Sequence, residues 1–297
     1  MTTDMSRRTF AALMAALTVA PGPSWARDDT YANPHLLESA EGLLNRIQLS
    51  TLENDGVVLI DVRERQDFNA GHIPGARHLD PNAVVAEDAP VTGALRPMDA
   101  LADMLSNLGI SPAMRVVFYD DRGGFHAARM FWLLEYLGHA NVAVLNGGMG
   151  AWRAAEGPIA SATRRQDPAT LTPSPMPRRI ASADYILSHR HDPETMVVDV
   201  RPPDAYAKGH IPWARNIPWS ENLGEDGLFL PAEALRAHFE GQGVTPDRNI
   251  VIHCQVGLAS SHSYVALRLL GYPRVRVYHR SWAEWGADTS LPAETGA

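Results

Sequence analysis

The chain has one cysteine, Cys254, and its surroundings are those a sulfur nucleophile needs. It follows the apolar run Ile250-Val251-Ile252-His253 and is followed by Gln255-Val256-Gly257-Leu258-Ala259-Ser260, after which a helical pattern resumes at Ser261. A strand that ends in a cysteine, turns tightly and enters a helix aims unpaired N–H groups and the positive end of the helix dipole at the sulfur. Both stabilise negative charge there, and Gly257 supplies the backbone freedom such a cradle requires. A lone cysteine otherwise reads as a small buried hydrophobe; its position after a strand favours the nucleophile. With no second cysteine, neither an internal disulfide nor a resolving thiol exists within the chain.

Other reactive types near the loop read differently. His253 is on the strand, where successive side chains alternate, so it should point away from Cys254. His262 falls in the first turns of the helix, and both histidines read as hydrogen-bonded structural residues. Three arginines are candidates for holding an anionic substrate: Arg280, just after the apolar run Val275–Tyr278, together with Arg122 and Arg201. Arg280 also stands four residues before Glu284, a spacing that suits an ion pair. A phosphatase of the Cys-x5-Arg kind needs a guanidinium six residues after the cysteine to grip phosphate; here that residue is Ser260.

The elements that position these residues occur twice. Val57-Val58-Leu59-Ile60-Asp61-Val62-Arg63 and Gly71-His72-Ile73-Pro74 return as Met196-Val197-Val198-Asp199-Val200-Arg201 and Gly209-His210-Ile211-Pro212, with Asp61 and Asp199 separated by 138 residues. Val116–Asp120 returns as Ile250–Cys254 at an offset of 134, and Leu137-Gly138 as Leu270-Gly271 at 133. A period this long implies duplicated domains rather than a solenoid. Apolar strands alternate with amphipathic stretches in each half, which predicts an α/β fold: two domains, each a mainly parallel sheet with helices on both faces. Ligands of such sheets sit beyond the carboxyl ends of the strands, where Cys254 lies. The first copy has Asp120 in the place of Cys254. A carboxylate cannot carry sulfur, so that half is expected to be catalytically silent, with Asp120 as a turn or capping residue. His72 and His210 recur in both halves and read as structural.

The 297 residues suit two domains, expected at 27–160 and 180–297, with the proline-rich segment 161–179 as linker. A net charge of −8 argues against nucleic acid or an anionic membrane as partner. Ser6-Arg7-Arg8-Thr9-Phe10, the short apolar run to Ala20 and Ser24-Trp25-Ala26 resemble a twin-arginine signal peptide cleaved after about Ala26. The expectation is a periplasmic protein of charge −9, without stable membrane association.

Taken together, Cys-Gln-Val-Gly-Leu-Ala-Ser at 254–260, the paired Asp-Val-Arg…Gly-His-Ile-Pro blocks and Ser281-Trp282-x-Glu284-Trp285 resemble the rhodanese superfamily over nearly all of residues 40–290. The resemblance implies a sulfurtransferase in which Cys254 takes sulfane sulfur as a persulfide, cradled by residues 255–260. An acceptor, cyanide or a thiol, then removes the sulfur. It implies no metal and no cofactor. Thiosulfate is the expected donor, with 3-mercaptopyruvate as the alternative: family members that prefer thiosulfate often carry cations after the cysteine, where this chain has Gln255 and Val256. A periplasmic sulfur-accepting protein is a further expected partner, and a persulfide carrier without turnover the non-enzymatic alternative.

Overall fold

The computed structural model describes residues 31–296 apart from 53 and 164–166; the expected signal peptide lies outside the described residues. The amino-terminal half runs β1 (Leu37–Glu38), α1 (Ala40–Gln48), β2 (Val57–Asp61), α2 (Arg65–Ala70), β3 (Arg77–His78), α3 (Met98–Asn107), β4 (Arg115–Tyr119), α4 (Phe125–Tyr136), β5 (Val142–Leu145) and α5 (Gly148–Ala154). The carboxyl-terminal half runs α6 (Ala183–Ser188), β6 (Thr195–Asp199), α7 (Pro203–Lys208), β7 (Ala214–Asn216), α8 (Ala232–Glu240), β8 (Asn249–His253), α9 (Leu258–Leu269), β9 (Val275–Val277) and α10 (Ser281–Trp285).

Each half is built on a parallel sheet, ordered β1-β5-β4-β2-β3 in the first and β7-β6-β8-β9 in the second. The second sheet keeps a trace of a fifth strand, because Ile180 bridges Val277 just as Leu37 of β1 pairs Val144 of β5. The central strands β2, β4 and β5 are apolar except for Asp61 at the end of β2 and the half-buried Arg115 at the start of β4, and otherwise buried, as parallel strands covered on both faces require.

The two halves share one core. Residues of α4 (Met130, Phe131, Leu134) and of α9 (Val265, Ala266, Leu269) belong to a single apolar cluster that runs from one sheet to the other. The expected linker is strapped down rather than loose: Ala169 N–H donates to Ser106 O, Ser174 N–H to Leu137 O and Met176 N–H to Tyr136 O. The segment just before β1 reaches the other half. Asn33 donates from its backbone N–H to Leu269 O and from its side chain to Arg268 O, both at the end of α9.

The repeated Asp-x-Arg pairs form a structural unit in both halves. Asp61 receives the guanidinium of Arg63 at 2.6 Å, and Arg63 also donates to Gly71 O; Asp199, Arg201 and Gly209 repeat this at 2.6 and 2.7 Å. His72 stacks on Phe68, and His210 on Tyr206, each ring lying beside the carbonyl four residues earlier. Arg201 is therefore corrected as an anion-binding candidate. It is buried, its fork is occupied by Asp199 and Gly209, and Arg63 does the same in the half that lacks the cysteine.

Candidate functional site

Cys254 follows directly on β8, and Gly257, at φ +88°, turns the chain into α9. Gly257 N–H donates to Cys254 Sγ at 3.1 Å, and the Ser260 hydroxyl lies 3.6 Å from the sulfur. The next N–H groups, of Ala259 and Ser260, stand in the first helical turn and so lack intrahelical partners. Behind the sulfur, Ser281 accepts the Cys254 N–H at 3.1 Å, and its own hydroxyl hydrogen goes to Tyr278 O at 2.7 Å. Ser281 holds φ +53°, a strained conformation for a residue with a side chain, and its Oγ sits 3.9 Å from Sγ. Trp282 and Ala283 N–H groups donate to Cys254 O and Gln255 O, which fixes the loop on α10.

The other half shows what such a loop holds. Asp120, after β4, accepts four backbone N–H groups: Arg122 and Gly124 on Oδ1, His126 and Ala127 on Oδ2, at 2.6–3.0 Å. Asp120 is thus the turn-forming residue expected, and the loop is an anion cradle filled by its own carboxylate. Counted from the helix starts, Gly124, His126 and Ala127 correspond to Gly257, Ala259 and Ser260. The Cys254 loop is one residue shorter, so the offset between the halves drops from 134 to 133 at this point.

The cation beside the cysteine comes from the opposite half. Arg129, on the fifth residue of α4, is completely buried and donates from Nη1 to Gly257 O at 3.1 Å and from Nη2 to Gly93 O at 3.2 Å. Burial pulls its pKa down to about 10, and the charge that acts against this fall is the Cys254 sulfur. Its guanidinium also lies over the Trp132 ring. Sequence reasoning missed Arg129, because it sits inside a helical run far from Cys254 in the chain. One signal could have found it: aligning the two helices at offset 133 places Arg129 opposite His262.

His262 makes the reciprocal contact. Its Nε2–H donates to Gly123 O at 3.1 Å, Asn222 donates to Nδ1 at 3.3 Å, and Phe229 stacks on the ring. Burial lowers its pKa to about 4, so it is neutral near pH 7. His253 points to the other face of the sheet, 3.6 Å from Asp199 and near Tyr278. His279, also buried, stacks on Trp132, and burial beside Arg129 and Arg280 lowers its pKa to about 3.

Two further cation candidates are not brought to the sulfur. Arg280 makes an ion pair with Glu284 at 2.7 Å, with its side chain 40% exposed. It lines a cavity of about 290 Å³ with His279, Arg96 and Met98, and Cys254 is not among that cavity's lining residues. Arg122 is exposed and lies over the Phe125 ring. Cys254 itself is only 3% exposed. A hairpin-like arm, residues 84–96, closed by the Val85–Leu95 bridge and the Ala86 N–H to Ala94 O bond, packs on the loop that follows the cysteine. Gly93 of this arm, at φ +82°, packs so close to Val256 that a Cβ would stand 2.8 Å from the valine Cβ. Among the described residues no cluster of metal-ligating side chains and no membrane-length apolar helix is present.

The rhodanese-like domain model matches residues 47–155 and 182–288. The thiosulfate sulfurtransferase of Azotobacter vinelandii is 33% identical, over 90% of this chain and 99% of that protein. The sulfur carrier protein TtuD of Thermus thermophilus is equally similar, at 33% identity over the same shares. In structure, the 3-mercaptopyruvate sulfurtransferase of Escherichia coli aligns with a TM-score of 0.76 at 25% identity, over 83% of this chain and 98% of that one. The anaerobic ergothioneine biosynthesis enzyme of Chlorobium limicola shares the fold, with a TM-score of 0.81 at 22% identity over 90% of this chain and 72% of that one. The chain belongs to the rhodanese-like family and carries two copies of its domain.

Proposed function

We propose that the protein is a sulfurtransferase that carries sulfane sulfur on Cys254. One observation carries the reading: the sulfur stands where the other half has a carboxylate held by four amides, in a loop facing a buried arginine that has no carboxylate partner among the described residues. In that arrangement the Cys254 thiolate attacks the outer sulfur of thiosulfate. The S–S bond of the donor breaks and sulfite leaves with the electron pair. The terminal sulfur of the resulting persulfide extends toward Ala259 and Ser260 N–H, as Asp120 Oδ2 extends toward His126 and Ala127 N–H. Arg129 balances its charge across the Gly257 turn, a fixed electrostatic contribution of the kind oxyanion holes make. Cyanide or a thiolate then attacks the terminal sulfur and regenerates the thiolate. With 3-mercaptopyruvate the bond broken is C–S, and the pyruvate enolate leaves and takes a proton. Gln255 and Val256 add no cation for a dianionic donor, which keeps 3-mercaptopyruvate as the second candidate.

Export to the periplasm by residues 1–26 and delivery of sulfur to a periplasmic protein belong to the same proposal, supported by the twin-arginine pattern and, for delivery, by the similarity to a sulfur carrier protein. Steady-state rates with each donor and cyanide test the enzyme reading. The expected result is turnover with at least one donor that vanishes in Cys254→Ser while the fold persists. Full turnover in that variant contradicts the role of Cys254. An adduct that forms without turnover replaces the enzyme by a carrier.

A further inference from the structure

At the opposite end of the α4–α9 pair lies a cleft of about 240 Å³, lined by His35, Glu135, Gly138, Arg178, Arg179 and Arg268 among others. We propose that this cleft is a second anion site, which takes a tetrahedral dianionic oxyanion such as sulfate or phosphate and bridges the two halves. Arg268 stands ten residues beyond Leu258, which at about 1.5 Å per residue puts the cleft roughly 15 Å from the cysteine loop.

Charge is the first argument. Three guanidinium groups, of Arg178, Arg179 and Arg268, line the cleft with one carboxylate, Glu135, whose hydrogen bonds are already taken up. Arg268 holds it with two bonds at 3.0 and 3.1 Å, and the Tyr264 hydroxyl donates to it as well. Burial alone would push the Glu135 carboxyl up, yet these partners hold it below the usual range. It therefore stays an anion, hydrogen-bonded by Arg268 and 3.7 Å from Arg179 Nε, and its single negative charge offsets only one of the three guanidinium charges. Arg179 is the second argument: its side chain is only 9% exposed, Glu135 is 3.7 Å from its Nε, and its buried Nε and Nη1 have no hydrogen-bond acceptor among the described residues. Buried donors without acceptors are uncommon, because native structures pair nearly all of them. A third observation separates a ligand site from helix capping. Arg268 is in the last turn of α9, where a cation suits the helix dipole, but Arg178 and Arg179 come from the linker.

The cleft joins three separate parts of the chain: His35 and Leu36 of the segment just before β1, the linker and the ends of the two central helices. A water takes roughly 30 Å³ in the liquid, so the cleft has room for an oxyanion and a few waters. Guanidinium forks are the side chains best matched to oxyanion geometry.

The test is calorimetric titration of full-length Cys254→Ser protein with sodium sulfate, and separately with phosphate, ionic strength being held with sodium chloride. Cys254→Ser removes sulfur transfer from the readout. One saturable site is expected, weakened about tenfold in Arg178→Gln, whose exposed side chain makes no hydrogen bond or ion pair among the described residues. Arg179→Gln should abolish binding if it folds; Arg178→Gln decides the matter if it does not. Tighter binding of sulfate assigns the site to the sulfur oxyanions, and tighter binding of phosphate to phosphates; both support the proposal. Absence of a saturable site overturns it. So does binding that Arg178→Gln leaves intact and Arg129→Leu removes, because the anion would then sit at the cysteine loop.

Discussion

The two loops at the ends of β4 and β8 are the same device with different occupants. In the first, four amides close on Asp120, and the helix of the opposite half offers a neutral histidine, His262, to the loop carbonyl of Gly123. In the second, a thiol replaces the carboxylate, the loop is shorter by one residue, and the opposite helix offers the cation Arg129 to Gly257. A glycine at φ +55°, Gly148, backs the first loop; Ser281, at a nearly equal φ, backs the second and brings a hydroxyl to the cysteine. The difference shows how a duplicated fold assigns chemistry to one copy. A carboxylate satisfied in place needs no outside charge. A sulfur that gains and loses charge during transfer needs a fixed cation, and the half without the cysteine supplies it.

The sharpest way to break this comparison is Arg129→Leu, which gives both loops a neutral neighbour. Loss of one preorganised electrostatic group typically lowers kcat by about 10²–10³-fold, and that is the drop expected. Because Arg129 is buried without a carboxylate partner among the described residues, the melting temperature should hold or rise. A loss of activity that follows a loss of stability would reduce Arg129 to a packing residue.

The arm that packs on Val256, in the cysteine loop, comes next. Gly93→Ala places a side chain where φ is positive and Val256 leaves no space, which should cost about 1–3 kcal/mol of stability or displace the arm. Measured by thermal melting and by KM for the donor, the expectation is a lower melting point and about a tenfold change in KM. Unchanged values in both would show that the arm does not close the site.

Acid should act on the histidines. His262 and His279 have folded-state pKa values lowered to about 4 and about 3 from 6.5, so between these limits the unfolded chain binds more protons. Stability is then intact above about pH 6.5 and falls as pH drops toward 4, by up to ~1.4 kcal/mol per pH unit for each histidine. His262→Gln should flatten that limb in urea unfolding between pH 4 and 6.5; an unchanged slope would contradict the assignment. The smallest effect is expected for Arg280→Gln, whose half-open ion pair with Glu284 is worth well under ~1 kcal/mol. Donor KM should move less than about twofold, and a tenfold rise would restore Arg280 as a substrate ligand.

Much of this was legible in the residues. The Asp61/Asp199 and Asp120/Cys254 correspondences gave the duplication, the parallel sheets and the reactive loop, because strands and their exit turns are written in contiguous apolar runs and glycines. His253 was placed on the far face by the alternation of a strand alone. The cations were not legible in the same way. Arg201 stood beside the right motif, yet its occupation by Asp199 could have been read from Arg63, which repeats the pair in the half without the cysteine. Arg129 is a contact between helices of different halves, set by how two domains pack, and no local pattern records that. The arm at 84–96 escaped for the same reason, since only Gly93 marks its approach to Val256.

The central claim is tested most directly by intact-mass measurement after exposure to thiosulfate or 3-mercaptopyruvate without acceptor. The account predicts a gain of about 32 Da, mapped to the peptide that contains Cys254, discharged by cyanide and absent from Cys254→Ser. Turnover by the wild-type protein with no such adduct on Cys254, or an unchanged adduct in Cys254→Ser, would contradict it.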